Sequence, residues 1–178
     1  GLLKKVEYSH WAAPIVVVPK KSGTVRICAD FKTGLNDALE MHQHPLPTPD
    51  EFFSKLNQGA WFTKVDFADA YLQLEMDESS KELVTINTPK GLYQYQRLPF
   101  GVKSAPGIFQ ETVDNLISGL KGCAAYLDDV IVTGTTLEEH NMNVFKLFKQ
   151  ISDFGFRVKM DMCSFAKKEI KFLGHIII

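Results

Sequence analysis

The sequence feature that most constrains this chain is a pair of adjacent acidic residues, Asp128 and Asp129, enclosed by two apolar runs. The runs at 123–125 and 130–132 are typical of short strands, so the pattern predicts a hairpin that turns back at the two carboxylates. Asp suits such a turn because its short side chain tolerates unusual backbone angles and bonds locally to the backbone. A turn that needs only polarity is better served by Asn-Gly, which lacks the repulsion between neighbouring carboxylates. The pair therefore indicates either a plain polar turn or a cation site that needs a third carboxylate.

A third carboxylate follows another apolar strand. The run at 61–65 is rich in aromatic and β-branched residues and leads directly into Asp66, and small residues come soon after it. An acidic residue that closes a buried strand is unfavourable unless it is paired or bound to a cation. Asp66, Asp128 and Asp129 together are therefore a candidate cation site.

Composition limits the other classes of function. The 178 residues, 45% of them hydrophobic, suffice for one large domain or two small ones with a real core. The net charge of -1 excludes a general polycation, so contacts with nucleic acid have to come from local basic clusters. The three cysteines are scattered without a Cys-x-x-Cys pair, which predicts reduced cysteines and an intracellular protein. The sequence shows no signal-peptide pattern or membrane-spanning stretch, and its apolar run at 173–178 leads us to expect a fragment of a longer polypeptide.

Three cations cluster on a second predicted hairpin. A strand at 15–18 leads through a polar turn to a returning strand at 25–31, which alternates apolar and polar residues and so has one buried face. Lys20 and Lys21 lie in the turn, and Arg26 lies on the returning strand. The cluster is either a solvated hairpin tip or a flexible basic finger that grips a phosphate chain.

The remaining patterns combine strand pairs with helices. The predicted elements are a helix that begins at Thr48-Pro49 with a capping box and stops at Gly59, a hairpin at 83–96, helices at 109–120 and 135–155, and a strand at 156–160. The loop at 98–106 leads into the second of these helices, whose N-terminus is suited to face a phosphate. This order predicts an α+β fold with helices packed on one side, rather than an alternating parallel sheet.

Several blocks of this sequence, in the same order along the chain, resemble the reverse transcriptase domain of long-terminal-repeat retroelements, closest to the Ty3/Gypsy (Metaviridae) type. The blocks are 11–14, 26–31 with Leu35-Asn36, 65–74, 98–110, 126–129 and 172–175. A lone Asp-Asp pair is a weak motif, whereas this ordered set runs through nearly the whole chain.

The resemblance implies the fold of a right-hand polymerase, with an antiparallel palm sheet that has helices packed on one face. The fingers would comprise approximately residues 1–60 and 79–97, and the palm would comprise 61–78 and 98–178, through the primer grip. The thumb, connection and RNase H segments of the family have no counterpart in residues 1–178, so we expect low activity from this fragment alone.

The resemblance also implies RNA-directed and DNA-directed synthesis of DNA in retrotransposon replication. In the family, the carboxylates that match Asp66, Asp128 and Asp129 are catalytic and hold two Mg²⁺ ions, for which Mn²⁺ can substitute. The two ions assist in-line attack of a primer 3′-hydroxyl on an α-phosphate and stabilise the leaving pyrophosphate. The implied partners are an RNA or DNA template with its primer, deoxynucleoside triphosphates (dNTPs) and the protease, RNase H and integrase of a Pol polyprotein, without a membrane. The implied location is cytoplasmic, in a virus-like particle.

Further site residues are implied by the matching blocks. Tyr71 matches the residue under the nucleotide sugar, where its ring leaves no room for a 2′-hydroxyl. The implied nucleotide-binding residues are Lys21, which Lys20 could replace, together with Arg26, Asp69, Ala70, Tyr71 and Phe100. The implied template–primer residues are Gly101, Lys103, Pro106, Tyr126, Phe172, Leu173, Gly174 and His175.

The sequence departs from the family pattern at Met162. Relatives usually carry there a Lys that is a proposed proton donor to the pyrophosphate, so either Lys159 or water takes this role, or catalysis is weakened. An alternative function is therefore a catalytically weak or inactive remnant that binds nucleic acid or protein, although three retained, mutually repelling carboxylates argue against it. A palm-fold RNA polymerase or nucleotide cyclase would share the acidic residues, but neither predicts an aromatic residue at Tyr71 or the block at 98–110.

Overall fold

A computed structural model describes residues 1–178, which form an α+β fold with antiparallel sheets, as predicted. The chain divides into two compact units. Unit 1 comprises Gly1–Gln43 and Asp69–Pro106, and unit 2 comprises His44–Ala68 and Gly107–Ile178. None of the helices is both long and apolar enough to cross a membrane.

Strands and α-helices are numbered here in chain order. The strands are β1 (Leu3–Val6), β2 (Ile15–Pro19), β3 (Val25–Ala29), β4 (Trp61–Asp66), β5 (Thr85–Thr88), β6 (Gly91–Tyr95), β7 (Cys123–Tyr126), β8 (Asp129–Gly134), β9 (Ser164–Lys167), β10 (Ile170–Phe172) and β11 (His175–Ile177). The α-helices are α1 (Leu35–Ala38), α2 (Pro49–Ser54), α3 (Glu78–Lys81), α4 (Ala105–Ile117) and α5 (Leu137–Asp153).

Unit 1 contains a three-stranded antiparallel sheet in the order β1-β6-β5. Strands β5 and β6 form a hairpin that turns after Thr88, which confirms the hairpin predicted at 83–96. Strand β1 pairs with β6 from Leu3 opposite Tyr95 to Val6 opposite Leu92. No pattern predicted β1, because its four residues carry two adjacent lysines and do not alternate cleanly.

The β2–β3 hairpin of unit 1 is a separate two-stranded sheet with Val17 opposite Ile27. The prediction that the returning strand has a buried face is wrong for most of the strand, because Val25 is 59% and Ile27 is 54% exposed. The consecutive residues Val16, Val17 and Val18 of β2 are also about half exposed, so neither face of the hairpin is fully covered. Only the end of this segment is buried, at Phe31 after the strand.

Unit 2 is built on a four-stranded antiparallel sheet in the order β7-β8-β4-β9. The central pair, β8 and β4, runs in full register from Trp61 opposite Gly134 to Asp66 opposite Asp129. Val65, Val130 and Ile131 are fully buried on these strands, which matches their apolar, β-branched sequence.

Two helices, α2 and α5, begin where their capping residues predict. Thr48 caps α2 through a complete capping box with Glu51, and Pro49 occupies the first turn. Thr136 caps α5 by accepting a hydrogen bond from the backbone N–H of Glu139. The helix predicted at 109–120 begins earlier, with α4 starting at Ala105 and ending at Ile117.

The end of the chain differs most from the predicted pattern. The predicted strand at 156–160 is wrong, because only Val158 makes a single bridge there, to Phe67. A 3-10 turn at Met160–Met162 follows, and the edge strand β9 comes after it. The β10–β11 hairpin was not predicted as strands, since each strand has only three residues.

One apolar cluster joins the sheet of unit 2 to α2 and to the β10–β11 hairpin. Its buried members are Phe52, Leu56, Phe62, Ala124, Ile131, Ile170 and Phe172. The rings of Phe52 and Phe172 stack with their centroids 4.7 Å apart. This packing fixes the strands whose ends carry the acidic residues.

Candidate active site

The acidic turn joins β7 to β8 through two residues, Leu127 and Asp128, with Tyr126 paired to Asp129. The unusual backbone angle belongs to Leu127, whose φ is 53°, and neither Asp has a positive φ. The expectation that an Asp is chosen here for its tolerance of unusual angles is therefore wrong. Two-residue hairpin loops require a positive φ at their first position, and in this chain a leucine bears it.

Three carboxylates meet at one end of the central strand pair. Asp66 is the last residue of β4 and pairs with Asp129, the first residue of β8. Asp128 lies in the adjoining turn, and its carbonyl accepts a hydrogen bond of 3.0 Å from the N–H of Phe67. Asp66 and Asp129 are close enough for their carboxyl groups to hydrogen-bond. The antiparallel register therefore brings together residues that are 62 positions apart in the chain (128 minus 66).

The surroundings of these carboxyls disfavour their charged forms. Burial raises the pKa of the Asp66 carboxyl, and repulsion from Asp128 raises it further. Burial also raises the pKa of Asp129, with added repulsion from Asp128 and Asp66, although Lys64 opposes the shift. Neighbouring carboxylates without a sufficient counter-charge are a recurrent feature of functional sites.

Lys64 supplies a partial counter-charge that the sequence analysis missed. Its ammonium nitrogen lies 3.0 Å from Oδ1 of Asp129, and it also lies 5.8 Å from the ring centroid of Phe172. Lys64 and Asp66 are two residues apart on β4, so they share a face of the strand. That spacing was the signal that could have identified Lys64 from the sequence.

The donor set suits a hard divalent cation, although no three His, Cys, Asp or Glu side chains of the chain are arranged as a ready-made metal site. Oδ1 of Asp129 is buried and makes no well-formed hydrogen bond, despite its ion pair with Lys64. Carboxylate oxygens are the ligands that Mg²⁺ prefers, and a cation would remove the repulsion that raises these pKa values. The residues therefore fit a cation, while Lys64 holds Asp129 in the arrangement seen here.

Unit 1 brings three of the predicted nucleotide-binding residues together. The rings of Tyr71 and Phe100 lie 4.9 Å apart between centroids, and the guanidinium carbon of Arg26 lies 5.8 Å from the Phe100 ring centroid. Asp69 has a φ of 49° and precedes a 3-10 turn, Ala70–Gln73, in which Ala70 is buried. Lys21 lies at the exposed tip of the β2–β3 hairpin.

Comparison with known proteins decides the family. A family model described as "Reverse transcriptase (RNA-dependent DNA polymerase)" matches residues 18–177. The chain belongs to the reverse transcriptase family. An uncharacterized protein of Caenorhabditis elegans is 46% identical over 178 residues, which are 99% of this chain and 14% of that protein. The retrovirus-related Pol polyprotein from transposon 297 of Drosophila melanogaster is 36% identical over 99% of this chain and 17% of its own length. The predicted resemblance to retrotransposon reverse transcriptases is thereby confirmed.

A solved structure confirms the predicted fold of this reverse transcriptase chain. The foamy viral protease-reverse transcriptase in complex with RNA/DNA hybrid superposes with a TM-score of 0.90 at 22% identity, over 99% of this chain and 24% of that one. The present chain thus spans only a small part of its relatives, 14% and 17% of the two curated proteins.

The residues predicted to contact template and primer in this reverse transcriptase chain differ widely in exposure. Phe172 is only 4% exposed and belongs to the apolar cluster, and Tyr126 packs against the same cluster. Leu173 and Gly174 form the exposed two-residue turn of the β10–β11 hairpin, with φ values of 48° and 78°, the combination of a type I′ turn. His175 lies 5.1 Å from the Phe53 ring between centroids.

The loop before α4 has a defined shape. Gly101 has a φ of 95°, and its carbonyl accepts a hydrogen bond from the side-chain amide of Asn36. The same Asn36 side chain accepts a hydrogen bond from the N–H of Lys103. Pro106 lies in the first turn of α4, where the absence of an N–H has no consequence.

The sequence analysis also missed a role for Gln110 of this reverse transcriptase chain. The Gln110 side chain, on α4, is fully buried and bonds to the acidic turn. The sequence carries no signal for this role, because the burial of Gln110 and its bonds to the turn arise only from tertiary contacts of α4.

Proposed function

We propose that this chain is the catalytic part of an RNA-directed and DNA-directed DNA polymerase that transfers deoxynucleotides to a primer 3′-hydroxyl in retrotransposon replication. The observation that carries the proposal is the meeting of Asp66, Asp128 and Asp129 at one end of the β4–β8 pair, in a chain of the reverse transcriptase family. Burial and mutual repulsion raise the pKa of Asp66 and of Asp129, a combination that favours a bound cation.

In this proposal, Asp66, Asp128 and Asp129 are the catalytic residues and hold two Mg²⁺ ions, with Mn²⁺ as a substitute. The ions, when bound, supply Lewis-acid stabilisation of the charge on the attacking hydroxyl and the leaving pyrophosphate. The contribution of the chain is to fix the carboxylates: the β4–β8 register sets Asp66 opposite Asp129, and the two-residue turn sets Asp128. Lys64 would release Asp129 when the ions bind.

We assign the proton that the pyrophosphate needs to Lys159. Its backbone N–H donates to the carbonyl of Asp66 at 2.8 Å, and its positive charge lowers the pKa of the Asp66 carboxyl. The Lys159 ammonium is therefore held near the catalytic carboxylates. Met162, at the position where relatives usually carry the donor, is 53% exposed in the 3-10 turn and has no proton to give.

The nucleotide contacts that we propose lie in unit 1. Lys21 and Arg26 would bind the triphosphate, since Arg and Lys are the usual phosphate ligands. Tyr71 would exclude a 2′-hydroxyl, and Phe100 supports this role because its ring packs against that of Tyr71. Asp69 and Ala70 complete the set; the buried, small Ala70 leaves space beside the backbone.

The template–primer residues and partners remain part of the proposal. The residues are Gly101, Lys103, Pro106, Tyr126, Phe172, Leu173, Gly174 and His175. The exposed Leu173-Gly174 turn is suited to touch a primer, whereas the buried Phe172 is suited to hold that turn in place. We also propose that the fingers comprise residues 1–60 and 79–97 and that the palm comprises 61–78 and 98–178. The proposed partners are the other parts of a Pol polyprotein, and the proposed location is a cytoplasmic virus-like particle.

Primer extension tests the function. The chain is incubated with Mg²⁺, dNTPs and a DNA primer on an RNA template, in parallel with its Asp128→Asn variant. We expect weak extension by the parent chain, because it has no counterpart of the thumb, and a further loss of about a hundredfold or more in the variant, because a ligand that stabilises the transition state is removed. Asp153→Asn is the matched control, since Asp153 is an exposed acidic residue of α5 that pairs only with a surface lysine, Lys149.

Each result has a defined consequence. Extension that persists in Asp128→Asn would overturn the assignment of the carboxylates. A parent chain that binds the primer–template but does not extend it, even with Mn²⁺, would overturn the polymerase function in favour of a binding module.

A further inference from the structure

We infer that Gln110 is a positioning residue that locks the acidic turn, and that Asp114 and His44 lock Gln110 in turn. The inference builds on the proposed polymerase function, because the turn matters through Asp128 and Asp129. Its geometry stands independently of that function.

The Gln110 side chain is 0% exposed, so each of its polar atoms needs a protein partner. Its Oε1 accepts a hydrogen bond of 2.7 Å from the N–H of Leu127, the first residue of the turn. Its Nε2 donates to the carbonyl of Ala125 at 3.1 Å, on β7 just before the turn. One side chain on α4 thus holds both the strand that enters the turn and the turn itself.

Leu127 is the residue that most needs such a partner. Its φ of 53° is a left-handed conformation that side chains larger than Asn and Asp rarely adopt. A conformation of this kind persists only where surrounding contacts hold it, and it is typical of functional sites. The hydrogen bond from Leu127 to Gln110 is such a contact, and it is placed one residue before Asp128.

The orientation of the Gln110 amide is set by Asp114 together with the carbonyl of Ala125, since both can only accept from Nε2. Oδ1 of Asp114 accepts a hydrogen bond of 3.0 Å from Nε2 of Gln110, and a carboxylate can only accept. The amide oxygen must therefore point the other way, to Leu127. Oδ2 of the same carboxylate bonds to Nε2 of His44 at 2.7 Å, so both oxygens of Asp114 are engaged. The series His44, Asp114, Gln110, Leu127 has one consistent set of donors and acceptors.

The first test measures hydrogen exchange of the Leu127 backbone N–H by NMR, which requires no polymerase activity. In Gln110→Met, a substitution of similar volume without an acceptor, we expect the Leu127 amide to exchange about tenfold faster or more. Gln110→Glu should accelerate it at least as much, because its carboxylate faces the Ala125 carbonyl and Asp114 without a proton to donate. Amides of β8 should keep their protection, which shows that the variants fold.

The control is another buried amide on a helix. Asn143, on α5, donates a hydrogen bond of 2.9 Å to the carbonyl of Thr133, near the end of β8 away from the turn. Asn143→Leu removes a comparable buried hydrogen bond and should leave the exchange of Leu127 unchanged. Unchanged exchange of Leu127 in Gln110→Met would overturn the inference.

Asp114→Asn provides a second route if the Gln110 variants do not fold. Asp114 is partly exposed, with 32% of its side-chain surface accessible, and Asn has the same shape. An Asn at this position can donate as well as accept, so only the carbonyl of Ala125 still favours the native orientation of the Gln110 amide. We expect faster exchange of Leu127 by a smaller factor than in Gln110→Met, and no change would overturn the role given to Asp114.

Kinetics separate a positioning role from a merely structural one. Gln110→Met should lower kcat by about tenfold to a hundredfold and leave KM for the dNTP within about twofold, because misplaced catalytic groups act on the chemical step. Asn143→Leu should change neither. Equal loss of kcat in both variants would overturn the positioning role. If the parent chain fails to extend primers, the proposed function fails, while the exchange of Leu127 still decides the inference.

Discussion

At the scale of single residues, this chain keeps charged groups where the fold alone would be more stable without them. Asp66 and Asp129 have raised pKa values, first because they are partly buried; repulsion from Asp128 adds to both shifts, and repulsion from Asp66 adds to that of Asp129. Lys64 offsets this only in part. Such local conflict between stability and charge is expected where binding of a cation is selected.

Asp66→Asn should therefore stabilise the cation-free chain near neutral pH. A carboxyl with a raised pKa binds more protons in the folded state than in the unfolded state, so its contribution to stability falls as pH rises from the ordinary value of 3.8 through the raised value. Above that window the ionised Asp66 opposes folding, and Asn removes the penalty. We expect a higher thermal midpoint, by about 2–4 °C for each kcal/mol of penalty removed.

Thermal unfolding of the parent chain and of Asp66→Asn at several pH values tests the predicted stabilisation. The difference between parent and variant should be largest at about pH 7 and shrink as the pH falls through the raised pKa of Asp66, where the parent carboxyl becomes protonated as well. Mg²⁺ should raise the midpoint of the parent chain more than that of the variant, because it binds the folded parent. An Asp66→Asn variant that is less stable at neutral pH without Mg²⁺ would contradict the sign argued here.

Tyr71 allows a prediction about sugar selection. Tyr71→Ala should admit ribonucleotides, with the preference for dNTPs over rNTPs falling by about tenfold or more, since a steric barrier is removed. Tyr71→Phe keeps the ring and its contact with Phe100, so it should retain the preference. Single-nucleotide incorporation with dNTP and rNTP in parallel measures both. Unchanged selectivity in Tyr71→Ala would remove Tyr71 from the sugar contact.

Some residues of the candidate site could be predicted from the sequence and others could not. The grouping of the three carboxylates was predictable, because Asp66 closes one apolar strand and the Asp128-Asp129 pair lies between two others. Lys64 was missed although its spacing from Asp66 places both on one face of β4. Gln110 was not predicted, because its importance arises from contacts between a helix and a turn. The partner that holds the backbone angle of Leu127 was unpredictable for the same reason: its N–H donates a hydrogen bond to Gln110, 17 positions earlier in the chain.

At the scale of elements, the sequence predicted those helices and strands whose ends are determined by residues close by in the chain. The starts of α2 and α5 were predictable, because Thr48 with Glu51 and Thr136 with Glu139 form their caps within four residues. The edge strand β9 was not predicted, because its pairing with β4 comes from a segment about 100 residues away. At 156–160 the predicted strand was wrong, because only Val158 pairs there, in a single bridge with the distant Phe67.

The junction of β8 with α5 allows a stability prediction. A Cβ added at Gly134 would overlap the backbone nitrogen of His140, in the first turns of α5. Backbone cannot move away as a flexible side chain does, so Gly134→Ala should destabilise the chain by about 1–3 kcal/mol. Chemical denaturation measures the loss.

Gly155→Ala is the comparison for that variant. Gly155 has no atom within 4 Å of an added Cβ, but its φ of 73° is left-handed. Its substitution should cost about 1–2 kcal/mol through backbone strain alone, and Gly155→Asn should recover part of that loss. If Gly155→Asn recovers stability relative to Gly155→Ala, and Gly134→Asn does not recover it relative to Gly134→Ala, then backbone strain acts at 155 and atomic overlap acts at 134. A Gly134→Ala variant as stable as the parent would contradict the overlap.

At the scale of the whole molecule, the residues proposed to bind metal and those proposed to bind the nucleotide belong to different units. Asp66, Asp128 and Asp129 belong to unit 2, and the Tyr71–Phe100–Arg26 cluster belongs to unit 1. A divalent cation without nucleotide should therefore act on unit 2 alone, because only that unit supplies its carboxylate ligands.

Hydrogen exchange with and without Mg²⁺ tests this division. We expect slower exchange of amides at 65–67 and 126–130, where β4 and the β7–β8 turn carry the carboxylates, since a bound cation removes the repulsion that opposes the folded arrangement. Amides of the β2–β3 hairpin in unit 1 should exchange at an unchanged rate. NaCl at equal ionic strength controls for general screening, and Asp128→Asn should abolish the Mg²⁺ effect. Equal slowing in the β2–β3 hairpin would mean that the cation acts through other ligands, and no slowing at 126–130 would contradict a cation held by these three carboxylates.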